Sequence, residues 1–512
     1  MPDVEWTRAA CHLNLRKRAA TPTAPVVHTE LRRRLGPRGG ASVIVEGLAR
    51  KREARPLHPA GRYAETLLEA LPAVDFEPPA PRRENPAFAW ARSGAMALTG
   101  RAEEPPRLAP APLATCAEAA LDALRALAPN SRLTLEGAHS ASALDGAALL
   151  GERAAYLGLL RRGQVSPGGS CRLLRAEDAW IAVNLPREDD HALVPAWLGG
   201  AEAVARDPWA IVASQVATQR SAEVVARARL LGLAVAEARV ATGVAPPWLR
   251  IAVRGGRRAA RRKRSAPLVL DLSALWAGPL CGRLLALSGA RVVKVESVGR
   301  PDGARYGAPG FYEALNADKE SVALDLRTPE GVSCLRGLFE RADAVIESAR
   351  PRALAQLGID AEALVGEGLV WVSITGYGRR EPEGHWIAYG DDASAASGLA
   401  IATGDPDAPL FCGDAIADPL TGLHAAVAAL AQLHTGDGAL LELALRDVTA
   451  HCLGFGGARE GGRVEVSHSG FEVVDGGARM PVAPPRAALP AGRARPLGAD
   501  TASLIAELRI RC

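Results

Sequence analysis

A chain of 512 residues exceeds what one ordinary hydrophobic core organises, so roughly two to four domains are expected. With 48% hydrophobic and 23% charged residues it has the balance of a globular protein, and a net charge of only +4 means that any basic patch is local. There is no apolar run of about 18 residues, Asp3, Glu5 and Arg8 stand where a signal peptide needs an apolar stretch, and the eight cysteines form no CxxC pair, so a membrane span, secretion and a metal site are not indicated and thiols in a reducing cytoplasm are expected.

Residues 1–84 are rich in Arg and Pro with weak periodicity, as in Leu31–Arg38 (LRRRLGPR) and the prolines from Pro78 to Pro86, and read as an arm on which no structure is imposed. From Cys116 to Leu127, Ala and Leu recur at helical spacing and predict a buried helix. Residues 171–184 (CRLLRAEDAWIAVN) place two short apolar runs around Ala176-Glu177-Asp178, a predicted hairpin. Helical segments follow to about Ala241, with a break near Gly232. The run Arg254–Arg264 (RGGRRAARRKR) separates two apolar blocks. Like charges repel and keep such a segment open, so a basic linker over 254–265 is expected, with a phosphate contact as the sharper alternative. No stacking aromatics are interleaved with it, which weighs against nucleic acid.

After the linker the pattern alternates between strand and helix. Leu268–Leu272 (LVLDL) reads as a buried strand, Gly278–Leu287 (GPLCGRLLAL) as a helix whose small residues allow close packing, and Arg291–Glu296 (RVVKVE) as the next strand. Val322–Leu326, Val345–Glu347 and Leu369–Thr375 are further strands, which predicts a parallel sheet covered by helices on both faces. Glu296 stands where a dinucleotide site would have its acid, but Gly278 and Gly282 give GxxxG rather than GxGxxG, so the case for NAD is weak. There is also an internal echo. Residues 93–100 (SGAMALTG) match 397–404 (SGLAIATG), and, allowing a gap, Ala119–Leu124 (AALDAL) falls on Ala425–Leu430 (AAVAAL), the pattern of a decayed repeat.

The ordered motifs carry a resemblance. The stretch 268–296 is followed by Pro301-Asp302-Gly303 and Arg305, by Asn316–Ser321 (NADKES), by Val322–Leu326 (VALDL), by Val345-Ile346-Glu347 with Arg350-Pro351, by Ser373–Gly378 (SITGYG) and by Asp418–Gly422 (DPLTG). In this order they resemble the CaiB/BaiF family, the family III CoA-transferases. The resemblance implies an α/β fold: a Rossmann-like parallel-sheet CoA-binding domain at 266–455 with a smaller α+β domain at 161–253. The acidic turn Glu177-Asp178 before Trp180 is similar to that smaller domain's hairpin, and the tail Pro496–Leu508 (PLGADTASLIAEL), within a segment 456–512 that returns to the large domain, is similar to the family's C-terminal segment. Residues 85–160 then read as a degenerate partial copy of the large domain. The order suggests permuted or fused half-copies, hence either a homodimer or a pseudo-dimer within the chain.

The resemblance also implies acyl-CoA and a carboxylic acid as substrates, with CoA as substrate and no separate cofactor. CoA phosphates call for cations and backbone N–H groups, for which Lys294, Arg305, Lys319 and Arg350 and the turn at Ala277-Gly278 are the candidates. The family's nucleophile is an aspartate at a fixed distance before the Ser-Gly pair. Counting back from Ser397-Gly398 gives Gly390, followed by Asp391 and Asp392; in the earlier copy it gives Pro86. Asp391 and Asp392 are therefore the candidate catalytic residues. An acyl-CoA racemase using His385 with Asp391, or a catalytically silent CoA-ester-binding protein, are the alternatives. Asp414, Asp418 and His424 form a second polar cluster, in which Asp418 is expected to cap a helix.

Overall fold

The computed structural model describes residues 58–72, 84–135, 144–199, 208–241, 243–257, 266–456, 461–468 and 470–512. The first described helix, α1 (Pro59–Glu69), lies inside the stretch expected to be an arm. Tyr63, Ala64, Leu67 and Leu68 line one face of it and are buried, so an apolar stripe outweighs the Arg/Pro-rich surroundings. Residues 1–57 lie outside the described residues, and residues 55–512 form one compact unit.

After α1 come α2 (Pro86–Arg92), α3 (Leu113–Leu127), which contains the predicted 116–127 helix, α4 (Arg132–Leu135) and α5 (Glu152–Leu157). The predicted hairpin is present as β1 (Cys171–Arg175) and β2 (Trp180–Asn184), paired antiparallel. Four helices follow: α6 (Glu188–Ala192), α7 (Val194–Leu198), α8 (Pro208–Ala217) and α9 (Ser221–Leu230). At the Gly232 break the chain turns into a strand not foreseen, β3 (Ala234–Glu237), which joins β2. Ile181, Val183 and Val235 on this small sheet close over Trp197, Val212, Val216 and Val224 from the helices.

The large sheet begins with β4 (Arg250–Arg257), so the first part of the basic run is strand rather than linker; residues 258–265 lie outside the described residues. Then come β5 (Leu268–Asp271), α10 (Ala277–Leu287), β6 (Arg291–Ser297), α11 (Pro309–Asn316), β7 (Glu320–Leu324), α12 (Pro329–Arg341), β8 (Ala344–Glu347), α13 (Pro351–Gln356), α14 (Ala361–Gly366) and β9 (Val370–Thr375). They continue with α15 (Gly390–Ala396), α16 (Leu399–Thr403), α17 (Ala417–Thr435), β10 (Asp437–Ala444) and α18 (Leu445–Gly454). A small sheet, β11 (Arg463–Ser467), β12 (Gly470–Asp475) and β13 (Ala478–Pro481), and α19 (Thr501–Leu508) complete the described elements.

The strand order β4-β10-β9-β8-β5-β6-β7 is parallel from β10 to β7. Chain order reverses between β5 and β8, the switch point at which open α/β sheets take their ligands. Alternate residues serve the two faces. Val269, Ile346 and Val372 pack with α10, α17 and the N-terminal helices, whereas Leu270, Val345 and Trp371 pack with α12 and α19. The α10–α17 contact is close: a Cβ on Gly422 would lie 2.6 Å from the Ala277 carbonyl oxygen. At the open side of β7, the Asp500 carboxylate accepts from Ser321 N (2.8 Å) and Thr501 Oγ1 from Ala323 N (3.0 Å), so the C-terminal segment covers that edge. Cys334 and Cys512 are joined in a disulfide, which corrects the expectation that all the cysteines are thiols.

The internal echo has a structural counterpart. In the first segment Ser93 Oγ donates to Trp90 O, Ala95 N donates to Ser93 Oγ, and Thr99 Oγ1 donates to Ala95 O. In the second, Ser397 Oγ donates to Ser394 O, Leu399 N to Ser397 Oγ, and Thr403 Oγ1 to Leu399 O. Gly94 and Gly398 both take positive φ, +79° and +98°. The two regions also touch: Gly413 N donates to Thr99 Oγ1 (2.9 Å) and Arg107 to Thr403 O (3.4 Å).

Candidate active site

Asp271 ends β5 inside the protein, and a buried carboxylate needs partners. Lys319 supplies one, its Nζ lying 2.7 Å from Asp271 Oδ2, 2.8 Å from Pro279 O and 3.0 Å from Asn316 Oδ1. Lys294 lies 2.9 Å from Asp302 and also donates to Ser273 O. Burial opposes the charged form of Asp271, yet the two ammonium groups hold it down at about 2. Both lysines, expected at the CoA phosphates, thus direct their charge inward. Arg305 does the same: it forks onto Glu296 (2.9 and 2.5 Å) and lies 4.6 Å from the centre of the Tyr312 ring. Asp302 N also donates to Glu296 Oε1 (2.9 Å), so the acid considered for a ribose is occupied.

Arg350 differs. It is half-buried at the start of α13, where the chain leaves β8, and it faces Arg352, Arg300 and Arg187 with no carboxylate beside it among the described residues. Burial, then these cations, hold its pKa below the usual range, which leaves it open to an anion. Ala277 and Gly278 begin α10, but the Ala277 N–H already bonds to Asp418. Gly278 is needed for packing, since a Cβ there would lie 2.2 Å from Ser273 Oγ.

The carboxylates lie where α15 and α17 begin. Asp392 is fully buried and accepts from Tyr389 N (2.9 Å), Asn184 Nδ2 (3.0 Å) and Tyr377 OH (2.8 Å). It caps its own helix and ties it to β2. Asp391 is also buried and accepts from Ala415 N (2.9 Å). Asp414 holds Arg153, from just past the start of α5, in a two-pronged pair at 2.8 and 2.6 Å. Asp418, in the first turn of α17, is part-exposed. Arg153 acts electrostatically on Asp414, Asp391 and Asp418 alike. One guanidinium does not neutralise so many acids. Burial and then Asp414 push Asp391 up to about 7 against the pull of Arg153. Burial likewise raises Asp418 to about 7 and Asp392 to about 6. The turn that delivers these groups carries Ala415 at φ +41°, left-handed backbone that costs a residue with a Cβ about 1–2 kcal/mol.

Of the predicted site residues, the structure brings Ala277 and Asp391 to this cluster. Asp392 lies beside it as a cap, and Arg350 stands at the switch point. His385 pairs with Glu381 (2.9 Å) rather than with Asp391. His424 also departs from the expected Asp414–Asp418 grouping: it faces Tyr63 OH at 2.9 Å and Leu420 O at 2.7 Å. Arg153 was not anticipated; it stands in no motif, and no linear spacing marks it.

Residues 267–488 match the model of CoA-transferase family III. This part of the chain is similar to the family III CoA-transferases. Similar relatives include the succinate–glutarate CoA-transferase of Agrobacterium fabrum, 36% identical over 205 residues (36% of this chain, 51% of that protein). The succinyl-CoA–D-citramalate CoA-transferase of Chloroflexus aurantiacus is 35% identical over 191 residues (35% and 48%). A crystal structure of a CAIB/BAIF family protein from Brucella suis is 30% identical with a TM-score of 0.37, over 41% of this chain and 64% of that one. The chain spans about half the length of the curated relatives it matches. Among the described residues, no helix is long and apolar enough to cross a membrane.

Proposed function

We propose that this protein exchanges CoA between an acyl-CoA and a carboxylic acid, using a carboxylate of the cluster at the starts of α15 and α17. The observation that supports it most directly is the cluster itself: Asp391 and Asp418, inside the family-matched region and beside the first turn of α10, are held at about 7 with one arginine among three acids. A carboxylate poised there attacks the thioester carbonyl, the C–S bond breaks, and CoA leaves as thiolate from an acyl-aspartyl anhydride. The thiolate then attacks the aspartyl carbonyl, frees the first acid and leaves an aspartyl–CoA thioester. The acceptor carboxylate opens that thioester to a second anhydride, and the thiolate takes the new acyl group. No net proton or electron is consumed.

In this reading Arg350 meets a CoA phosphate at the switch point. The N-terminal copy, which contributes Arg153, takes the place of a second subunit, a pseudo-dimer within one chain. The two relatives are named for succinate, glutarate and D-citramalate, so short dicarboxylic acids are the acceptors to try first. The test is to incubate the full chain with succinyl-CoA and a panel of such acids and to separate the acyl-CoA products. A new acyl-CoA is expected, with a rate that rises from pH 6 to pH 8 as the carboxylate loses its proton. Hydrolysis alone, or unchanged succinyl-CoA with every acid, would overturn the reading.

A further inference from the structure

The residue count that leads to Gly390 leaves the family's nucleophile position without a side chain, and the structure shows what fills the space. A Cβ on Gly390 would lie 2.2 Å from Asp418 Oδ2 and 2.4 Å from Ala415 O. No side chain fits at 390 while Asp418 and the Ala415 backbone stay where they are. Conversely, a carboxylate oxygen of α17 lies 2.2 Å from where a Cβ at 390 would stand. We infer that Asp418 is the nucleophile of this chain: position 390 offers no carboxylate, and the Asp418 carboxylate from the start of α17 reaches the space beside it. This rests on the CoA-transfer reading above and names the residue that performs it.

Three observations separate Asp418 from its neighbours. First, access: Asp391, Asp392 and Asp414 are 5%, 0% and 0% exposed, whereas Asp418 keeps part of its surface open. Second, free lone pairs: Asp392 accepts three hydrogen bonds, Asp414 holds Arg153 with both oxygens, and Asp391 accepts from the strained turn at Ala415. Asp418 has the Ala277 N–H at the start of α10, which orients the carboxylate and leaves acceptor capacity for attack. Third, a waiting donor: Trp276, one residue before Ala277, is 3% exposed, and its indole N–H has no hydrogen-bond partner among the described residues. Arg153 lies 5.7 Å from the centre of its ring. A buried N–H without a partner is costly unless a ligand supplies one, and the oxyanion formed when a thioester is attacked is such a ligand.

The experiment traps the acyl-enzyme and reads where it sits. The full chain is incubated with succinyl-CoA, treated with hydroxylamine, digested and sequenced by mass spectrometry. The hydroxamate is expected on Asp418 and on no other acid of the cluster. Asp418→Ala is expected to lose the adduct, and Asp391→Asn to keep it. An adduct on Asp391 in the unaltered chain overturns the inference and leaves CoA transfer standing. CoA exchange without any trapped aspartate also overturns it. Neither exchange nor adduct sinks the CoA-transfer reading itself. The mapping in the unaltered chain decides the matter even if a variant fails to fold.

Discussion

Two groups of buried charge meet the first turn of α10, and they have opposite balances. Around Asp271 two ammonium groups serve two carboxylates, with Asp302 as the second acid, and Asp271 is held down at about 2. Around Asp391, Asp414 and Asp418 one guanidinium serves three carboxylates, and two of those are pushed up to about 7. Full neutralisation locks β5, β6 and the start of β7 together and leaves nothing over for a ligand. Incomplete neutralisation keeps a carboxylate near the pH at which it changes charge, which is what a reacting group needs.

The comparison breaks first at Lys319. Lys319→Met removes the ammonium from a fully buried carboxylate and should cost about 3–5 kcal/mol, since an uncompensated buried charge is left behind. Urea unfolding measures this; a loss below about 1 kcal/mol would mean that Asp271 finds another partner and that the balance drawn here is wrong. Asp418→Asn, which thins a crowd of like charges, should leave stability at pH 8 unchanged or slightly raised while abolishing exchange.

The pH dependence sharpens it further. Asp391, Asp418 and Asp392 have folded pKa values above the ordinary aspartate value, so the folded state holds more protons between about pH 4 and pH 7. Their contribution is full below that window and is lost as pH rises through it. Asp271 works the other way: its contribution is present above about pH 4 and is lost as pH falls toward 2. The melting temperature is expected to fall by a few degrees between pH 5 and pH 8, and by less in Asp418→Asn. The same slope in both would show that Asp418 does not share in the raised titration.

Much of the large sheet was legible because its strands are short apolar runs bounded by turn residues, and the Ser-Gly echo because a cap repeats its residues as well as its shape. Lys294 and Lys319 were found by motif, and the structure places both ammonium groups against buried carboxylates. A charged residue in the strand LVLDL, Asp271, was the available sign that cations nearby would be claimed internally. α1 was hidden by the composition around it, although Tyr63, Leu67 and Leu68 keep helical spacing. The closeness of Asp418 to position 390 has little signature along the chain, because residues 390 and 418 meet only when two helix starts are packed together. Gly390 was its one visible trace. Arg153 left none.

Arg350 supplies the smallest expected effect and the most direct check on the idea of unclaimed charge. Its guanidinium stands among Arg352, Arg300 and Arg187, so Arg350→Ala removes repulsion as well as packing and should change stability by no more than about 0.5 kcal/mol. If the cluster receives a CoA phosphate, the same substitution should weaken CoA binding about tenfold, the worth of one charge-assisted hydrogen bond, and should reduce the loss of affinity with added salt. Calorimetric titration with CoA and with dephospho-CoA measures both and shows which phosphate is involved. If the variant binds both as tightly as the original chain, these arginines are a solvated surface, and the charge balance near α10 would then distinguish structure from chemistry only at the carboxylates.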